Sequence, residues 1–496
     1  MPDEKTLDPD DWDEVHRVFR RAAELCLDHT RDLREGPVWQ PTPQAIKARF
    51  REPLPHKGQS LGDLLACFEE AILPYGTGNA HPRFWGWVHG SGNVAGVLGE
   101  MLAAFMNCNA GGRDHIATYV ERQVVDWSKE IFAFPHSASG ILTTGTSMAT
   151  LIALAVARDS KADADVQKYG VAAASPLVGY ASTEAHRSVA KAFDLLGLGT
   201  DALRPVPVDS DHRMRVDRLA DLVEVDRARG CRPFVVIVSA GTANTGAIDD
   251  IERIAPVCRA KSLWMHVDAA FGGLAVLTPE YLPQLAPIAQ AESIAFDFHK
   301  WLHVPYDAGC VLVRDGHAHQ RAFAARPDYL AGQAEGLAAG EPWYCDFGPE
   351  LSRGFRALKV WLSLKAHGTE RYGELIAQNC AQARYFGALV ESHPDFELLA
   401  KVSLNIVCLR FVAPGLADDE LDTLNGQIVA ELQTRGIAVT STARICGKTA
   451  IRAAITNHRT TTKDLDLLLA EAQRVGQDAA HAIERSRSAR AVRRAA

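Results

Sequence analysis

The sequence predicts an α/β protein: a mostly parallel central sheet with helices on both faces, an N-terminal helical arm before it and a small C-terminal α/β domain after it. Three observations predict this. From about residue 91 to 368, short apolar runs alternate with helical stretches, the pattern of βαβ units. Residues 1–90 hold helical patterns broken by prolines, and residues 369–496 return to helices around isolated apolar runs. The 496 residues suffice for two or three domains with large cores, and 47% apolar with 23% charged residues is ordinary for a globular chain.

In chain order, the first segment carries Pro37, Pro41, Pro43, Pro53, Pro55 and Pro74 between its helical patterns. It has apolar residues but no clear core of its own, so it is expected to wrap a second copy of the chain in an obligate homodimer. Gly90-Ser91-Gly92-Asn93-Val94-Ala95-Gly96 has the outline of a dinucleotide loop, but its third glycine is one position late. No acidic residue ending a second strand stands out about 20 positions on, so it reads as a tight turn into a helix. The clearest strands are Ile141–Thr143, Val178–Ala181, Phe234–Ser239, Leu263–Val267, Ser293–Phe296 and Cys310–Val313. In the last part a strand is expected at Asn405–Phe411. From Arg485 the chain carries Arg485, Arg487, Arg490, Arg493 and Arg494 among Ser and Ala, which reads as a frayed, solvated basic tail.

Composition excludes several classes of function. A net charge of −8 argues against nucleic acid as the main partner. Ten scattered cysteines without Cys-x-x-Cys argue for reduced thiols in the cytoplasm, against a disulfide framework and against a metal site. The charged start, Met1-Pro2-Asp3-Glu4-Lys5, has no apolar run behind it and is not read as a signal peptide. No uncharged apolar run reaches about 18 residues, so no membrane span is expected.

The chemistry centres on Phe296-Asp297-Phe298-His299-Lys300-Trp301 and His266-Val267-Asp268-Ala269-Ala270, with Asp268 and Lys300 32 positions apart (300 − 268). Each lies at the end of an apolar strand. A lysine there, beside histidine and tryptophan, can be desolvated, which favours the neutral amine that forms a Schiff base with an aldehyde. An aspartate near by holds a ring nitrogen protonated. Those are the two groups pyridoxal phosphate requires. Thr143-Thr144-Gly145-Thr146-Ser147 follows a strand and opens the helix Met148–Arg158; its hydroxyls, amides and positive dipole end suit a phosphate. A plain cap by Thr146 or Ser147 would use the same residues, but the lysine–aspartate pair on neighbouring strand ends favours the phosphate. His186 follows another strand, at the sheet edge where α/β ligands bind, and its flat imidazole suits stacking on a pyridine ring. Thr242, after Gly241, offers a hydroxyl to the ring oxygen or a carboxylate, or else closes a turn. Tyr329 precedes a Gly/Ala-rich stretch, to Gly340, that reads as a closing loop.

These motifs resemble the group II pyridoxal-phosphate decarboxylases, the aromatic-L-amino-acid decarboxylase family. The matching pieces are Asn79-Ala80-His81-Pro82-Arg83-Phe84-Trp85-Gly86-Trp87, Gly145-Thr146-Ser147, Ala185-His186, Gly241-Thr242, the Asp268 and Lys300 motifs, Tyr329, and Ser352 to Lys359; Arg452 to Thr462 resembles the final motif. The resemblance implies a fold-type-I, aspartate-aminotransferase-like homodimer with shared sites, acting on a small L-amino acid, aromatic by the family's name. It implies that Lys300 forms the Schiff base and Asp268 pairs with the pyridine nitrogen, with Ala270 beside it. His186 would stack on the ring; Thr146, Ser147 and His299 would hold phosphate; Thr242 would contact the cofactor. Tyr329 would return the proton to Cα, which favours an amine over an aldehyde product. Trp85, Trp87 and His89 are the candidates for the wall of the substrate pocket, with a place in the core as the equal alternative for the two tryptophans. Two departures stand out. Asp297 replaces an asparagine common near the phosphate; an ionised carboxylate cannot donate, so it is expected to bind a helix N-terminus or an arginine instead. Ala80 replaces a pocket tryptophan, and Met106 to Gly112 lacks the usual aromatics. The rivals are a glutamate, aspartate or diaminobutyrate decarboxylase, aldehyde synthesis, transamination with Arg452 anchoring a carboxylate, a carbon–sulfur lyase, and a degenerate non-enzymatic scaffold.

Overall fold

The computed structural model describes residues 5–324 and 332–495. A seven-stranded sheet forms its centre, built from β1 (Ser139–Thr143), β2 (Leu177–Ser182), β3 (Leu203–Val206), β4 (Arg232–Ser239), β5 (Trp264–Asp268), β6 (Ser293–Asp297) and β7 (Gly309–Val313). Their order is β1-β7-β6-β5-β4-β2-β3. Every residue of β2, β5, β6 and β7 is buried, as expected of strands covered on both faces. Pairings among β3, β2, β4, β5 and β6 are parallel. β7 runs antiparallel to both β1 and β6, because only Phe298 to Ala308 separates it from β6, too short a link for a helical crossover. Six of these strands match the runs expected from the sequence, with β5 shifted by one residue from Leu263–Val267 to Trp264–Asp268. The seventh, β3, was not expected: Leu203-Arg204-Pro205-Val206 has little apolar character, and its proline is tolerated because it forms the sheet edge.

The helices before the sheet are α1 (Trp12–Arg31), α2 (Gln44–Arg49), α3 (Leu61–Cys67), α4 (Val94–Met106) and α5 (Ile116–Ile131), and α6 (Thr146–Lys161) follows β1 directly. α1 buries no residue, although Asp11 caps its N-terminus properly and Trp12, Phe19 and Leu27 lie along it. α6 is the opposite case: Ala149, Thr150 and the run Ile152 to Ala157 are buried between the sheet and its neighbours. A buried ion pair ties this region together. The Arg353 guanidinium donates to Glu121 Oε2 at 3.0 Å and to the Leu142 carbonyl at 2.7 Å, while Leu142 N–H donates to Glu121 Oε1 at 3.1 Å. It clamps β1 just before the Thr143 turn.

The helix Ala357–Ser392 is interrupted at Gly368, whose φ of 71° leaves the helical region. Beyond it lies a small C-terminal sheet domain of β8 (Phe396–Leu398), β9 (Ile406–Phe411), β10 (Ser441–Ile445) and β11 (Lys448–Ala454), ordered β10-β11-β9-β8 and antiparallel throughout. The N-terminal arm ends on this domain. Trp85 N–H donates to the Val439 carbonyl, and the Asn457 side chain donates to the His81 carbonyl at 2.9 Å. The last described element is the helix Thr462–Ala495, which runs on through the segment from Arg485 that reads as a basic tail. Arg487 donates to the Gly415 carbonyl at 2.9 Å and pairs with Glu420, so an arginine that reads as solvated is tied down. No helix among the described residues is long and apolar enough to cross a membrane.

Candidate active site

A cavity of about 550 Å³ opens at the carboxyl ends of the parallel strands, where ligands of α/β sheets bind. Asp268 ends β5, Asp297 ends β6, the Thr143 turn follows β1, and Gly241-Thr242 follows β4. All four converge there with Thr146, Ser147, His186, Ala270, His299 and Lys300. The structure therefore brings together residues that the sequence separates by more than 150 positions.

Lys300 pairs with Asp297: Nζ lies 3.1 Å from Oδ2. Asp297 also accepts the Thr146 backbone N–H at 2.7 Å, so it occupies the N-terminus of α6. Of the two roles open to this carboxylate, the helix N-terminus is the one it takes, with the lysine added. His299 sits 3.6 Å from the same carboxylate. Its Nδ1 accepts the Ala308 N–H at 3.1 Å, and burial lowers its pKa, so the neutral ring carries its proton on Nε2. Asp268 is 7% exposed and accepts the Ala270 N–H at 3.1 Å. Burial raises its pKa, against the opposing pull of Lys300, the Ala270 amide and His186. A cationic ring nitrogen placed there would favour the carboxylate.

The remaining polar groups are anchored from behind. His186 caps the helix Arg187–Leu195, and its Nδ1 accepts the Ser188 N–H at 3.3 Å, which fixes the ring through one nitrogen. The Thr242 hydroxyl accepts the Ala247 N–H at 3.1 Å and lies 3.0 Å from the Thr245 hydroxyl, closing its own turn while lining the cavity. Arg452, on β11, is 4% exposed. It donates to the carbonyls of Asn244 at 3.0 Å and Trp87 at 2.9 Å, but its Nη2 is buried with no hydrogen-bond partner among the described residues. Burial pulls its pKa down to about 10, which still leaves a cation at neutral pH.

Trp87 and His89 line the cavity, and Trp85 does not. Trp85 is 1% exposed and packs in the core of the small domain, where its indole N–H donates to the Thr460 hydroxyl at 3.2 Å. This corrects its expected place in the pocket. In extended chain the two tryptophans would share a face; the φ of 54° at Trp87 separates them. Tyr329 lies outside the described residues. Tyr306, Asn244, Ser441 and Thr442 also line the cavity and were not anticipated. Only Tyr306 had a local signal, six positions after Lys300 on the same loop; its ring lies 4.3 Å from that of His299. The glycine-rich turn at residues 90–96 has its own reason: a Cβ at Gly90 would sit 2.0 Å from the His299 carbonyl, so glycine lets this segment press against the lysine turn.

The residues fit pyridoxal phosphate. The Thr146 hydroxyl is buried with no hydrogen-bond partner among the described residues, at a helix start whose first amides have no intrahelical acceptor. A Cβ at Gly145 would stand 3.3 Å from the His299 ring, so glycine keeps the cradle roomy there. An amine, a buried carboxylate and an anion-seeking helix end thus face one space.

Comparison with known proteins agrees. The pyridoxal-dependent decarboxylase conserved domain matches residues 43–412. The chain is 33% identical over 462 residues to an aromatic-L-amino-acid decarboxylase of Bacillus atrophaeus, covering 91% of this chain and 93% of that one. It is 29% identical to the human histidine decarboxylase, covering 92% of this chain and 69% of that one. The solved structure of a Catharanthus roseus tryptophan decarboxylase with L-tryptophan superposes with a TM-score of 0.85 at 25% identity, covering 95% of this chain and 100% of that one.

Proposed function

The chain belongs to the pyridoxal-dependent decarboxylase family and is a pyridoxal-phosphate-dependent amino-acid decarboxylase, and on that footing we propose that it converts an aromatic L-amino acid to its amine and carbon dioxide. The observation that carries the aromatic reading is the wall beside Lys300. Trp87, His89 and Tyr306 line it, and Phe84 stacks behind His89. The acidic groups of the cavity are already engaged: Asp297 by Thr146 and Lys300, Asp268 at the base. No free carboxylate faces a basic side chain among the described residues, and Arg452, the cation left with an open donor, suits the substrate's α-carboxylate.

Each residue then has a part. Lys300 holds the cofactor, which when attached supplies the electron sink for the pair left at Cα as carbon dioxide departs. Asp268 keeps a proton on the ring nitrogen, because a carboxylate against a buried cation favours the charged pair. Thr146, Ser147 and His299 take the phosphate at the start of α6. His186 covers the ring. Arg452 fixes the carboxylate through Nη2. Tyr329 returns a proton to Cα, and protonation there commits the product to an amine.

The working unit in this reading is a homodimer. α4 exposes Val97, Leu98, Met101, Leu102 and Phe105, and Phe19 of α1 packs on Phe105 at 5.6 Å between ring centroids. A second copy laid on α1 and α4 would remove that surface from water, which is the driving force for association. A panel of L-amino acids scored for carbon dioxide tests the proposal. Release from tyrosine, tryptophan, phenylalanine or dihydroxyphenylalanine is expected. Release only from histidine, aspartate, glutamate or 2,4-diaminobutyrate, or keto-acid formation without carbon dioxide, overturns it.

A further inference from the structure

His89 is the polar member of an otherwise aromatic wall. Its ring stacks on Phe84 at 5.6 Å and 29°, lies 5.8 Å from Trp87, and meets the edge of Tyr306 at 5.9 Å. Its backbone is held firmly: the carbonyl accepts the Thr456 hydroxyl at 2.7 Å, and the next residue, Gly90, presses on the carbonyls of His299 and Lys300. The ring therefore has a set position relative to the reacting lysine. Neither ring nitrogen makes a hydrogen bond within the described residues, although the ring borders the cavity. Burial, with the positive charge of Lys300 adding to it, lowers the pKa of His89 and keeps the ring neutral. A neutral imidazole offers one N–H donor and one lone pair in a plane.

Those properties select a substrate. A carboxylate or ammonium side chain would find no opposite charge on this wall. A plain phenyl ring would stack but leave the imidazole desolvated and unpaired, which disfavours it. A ring that carries a neutral hydrogen-bonding group satisfies both the stack and the imidazole. Resting on the aromatic reading above, we propose that His89 is a specificity-determining residue that hydrogen-bonds a phenolic hydroxyl or indole N–H of the substrate, so that the enzyme prefers polar-tipped aromatic amino acids over phenylalanine.

The test compares kcat/KM of the holoenzyme for tyrosine, tryptophan and phenylalanine in native protein, His89→Phe and His89→Gln. Native protein is expected to favour tyrosine or tryptophan over phenylalanine at least tenfold, and which of the two leads identifies the hydroxyl or the N–H as the recognised group. His89→Phe should shrink that ratio to within about threefold, while His89→Gln, which keeps a donor and an acceptor, should retain most of it. Should a variant fail to fold, competitive inhibition of native enzyme keeps the question open to refutation: tyramine or tryptamine should inhibit at least tenfold better than phenethylamine. A native ratio near one, equal inhibition by these amines, or a ratio unchanged in His89→Phe overturns the role of His89 and leaves the aromatic reading standing. Turnover of no aromatic amino acid, with release from histidine, glutamate or diaminobutyrate, overturns both.

Discussion

Replacing Asp297 by asparagine is expected to tighten the hold on the cofactor's phosphate about tenfold. The Asp297 carboxylate takes the Thr146 N–H at 2.7 Å and the Lys300 amine at 3.1 Å. A phosphate at the start of α6 competes for the same amide, so it must displace a charge-assisted hydrogen bond of about 1.5–3 kcal/mol. An asparagine carbonyl accepts from that amide as a neutral partner, at roughly 0.5–1.5 kcal/mol, and brings no negative charge against the phosphate. The midpoints differ by about 1.25 kcal/mol, which is nearly tenfold in affinity. Pyridoxamine phosphate is the probe of choice, since it carries the ring and the phosphate but no aldehyde, and so reports the cradle without the chemistry of Lys300. Titration calorimetry on native and Asp297→Asn apoprotein gives the two dissociation constants directly. Equal or weaker binding by the variant refutes the competition and makes Asp297 a cap that holds the phosphate turn in place.

Lys300→Ala should leave no borohydride-reducible cofactor adduct, read by intact mass, and cut turnover by several orders of magnitude. Arg353→Met strands the buried Glu121 carboxylate and should cost about 3–5 kcal/mol, read as a lower denaturant midpoint. Stability should fall as pH drops from 6.5 towards 4. Burial lowers the pKa of His81 and His319 to about 4 and of His266 to about 3, so the unfolded chain binds more protons in that window. Each costs up to roughly 1.4 kcal/mol per pH unit. Asp249, raised to about 6 by burial, has the opposite sign, as have Asp268 and Glu292, but these are three groups against seven, because burial also lowers His89, His299, His303 and His458. Urea midpoints at pH 7.5 and 5 check this, and equal midpoints contradict it. Phe105→Asp should break the dimer, read by light scattering against the 53.9 kDa chain mass.

The parts of the site that the sequence revealed are those with a local signature. Asp268 and Lys300 end buried strands, and the Thr143 turn opens a helix, so periodicity and capping residues place them at one sheet edge before any contact is known. The chemistry of Asp297 was half legible: a carboxylate that cannot donate seeks amides, but its grip on Lys300 depends on the turn after β6. Trp85 and Trp87 show the limit. Two identical residues in one motif part company because one backbone angle at Trp87 enters the left-handed region, which composition does not encode. Ser441 and Thr442 reach the cavity from the small domain, and β3 hides behind Arg204 and Pro205. Such placements are tertiary facts and leave little trace in local pattern.

Proton return to Cα is what makes the product of an aromatic amino acid an amine, and the product ratio under air reports it. With tyrosine as substrate, one tyramine per carbon dioxide released is expected, with a shift towards aldehyde, ammonia and peroxide in Tyr329→Phe. Native enzyme that yields mostly aldehyde from tyrosine, or a phenylalanine variant that still makes only amine at the native rate, would contradict it.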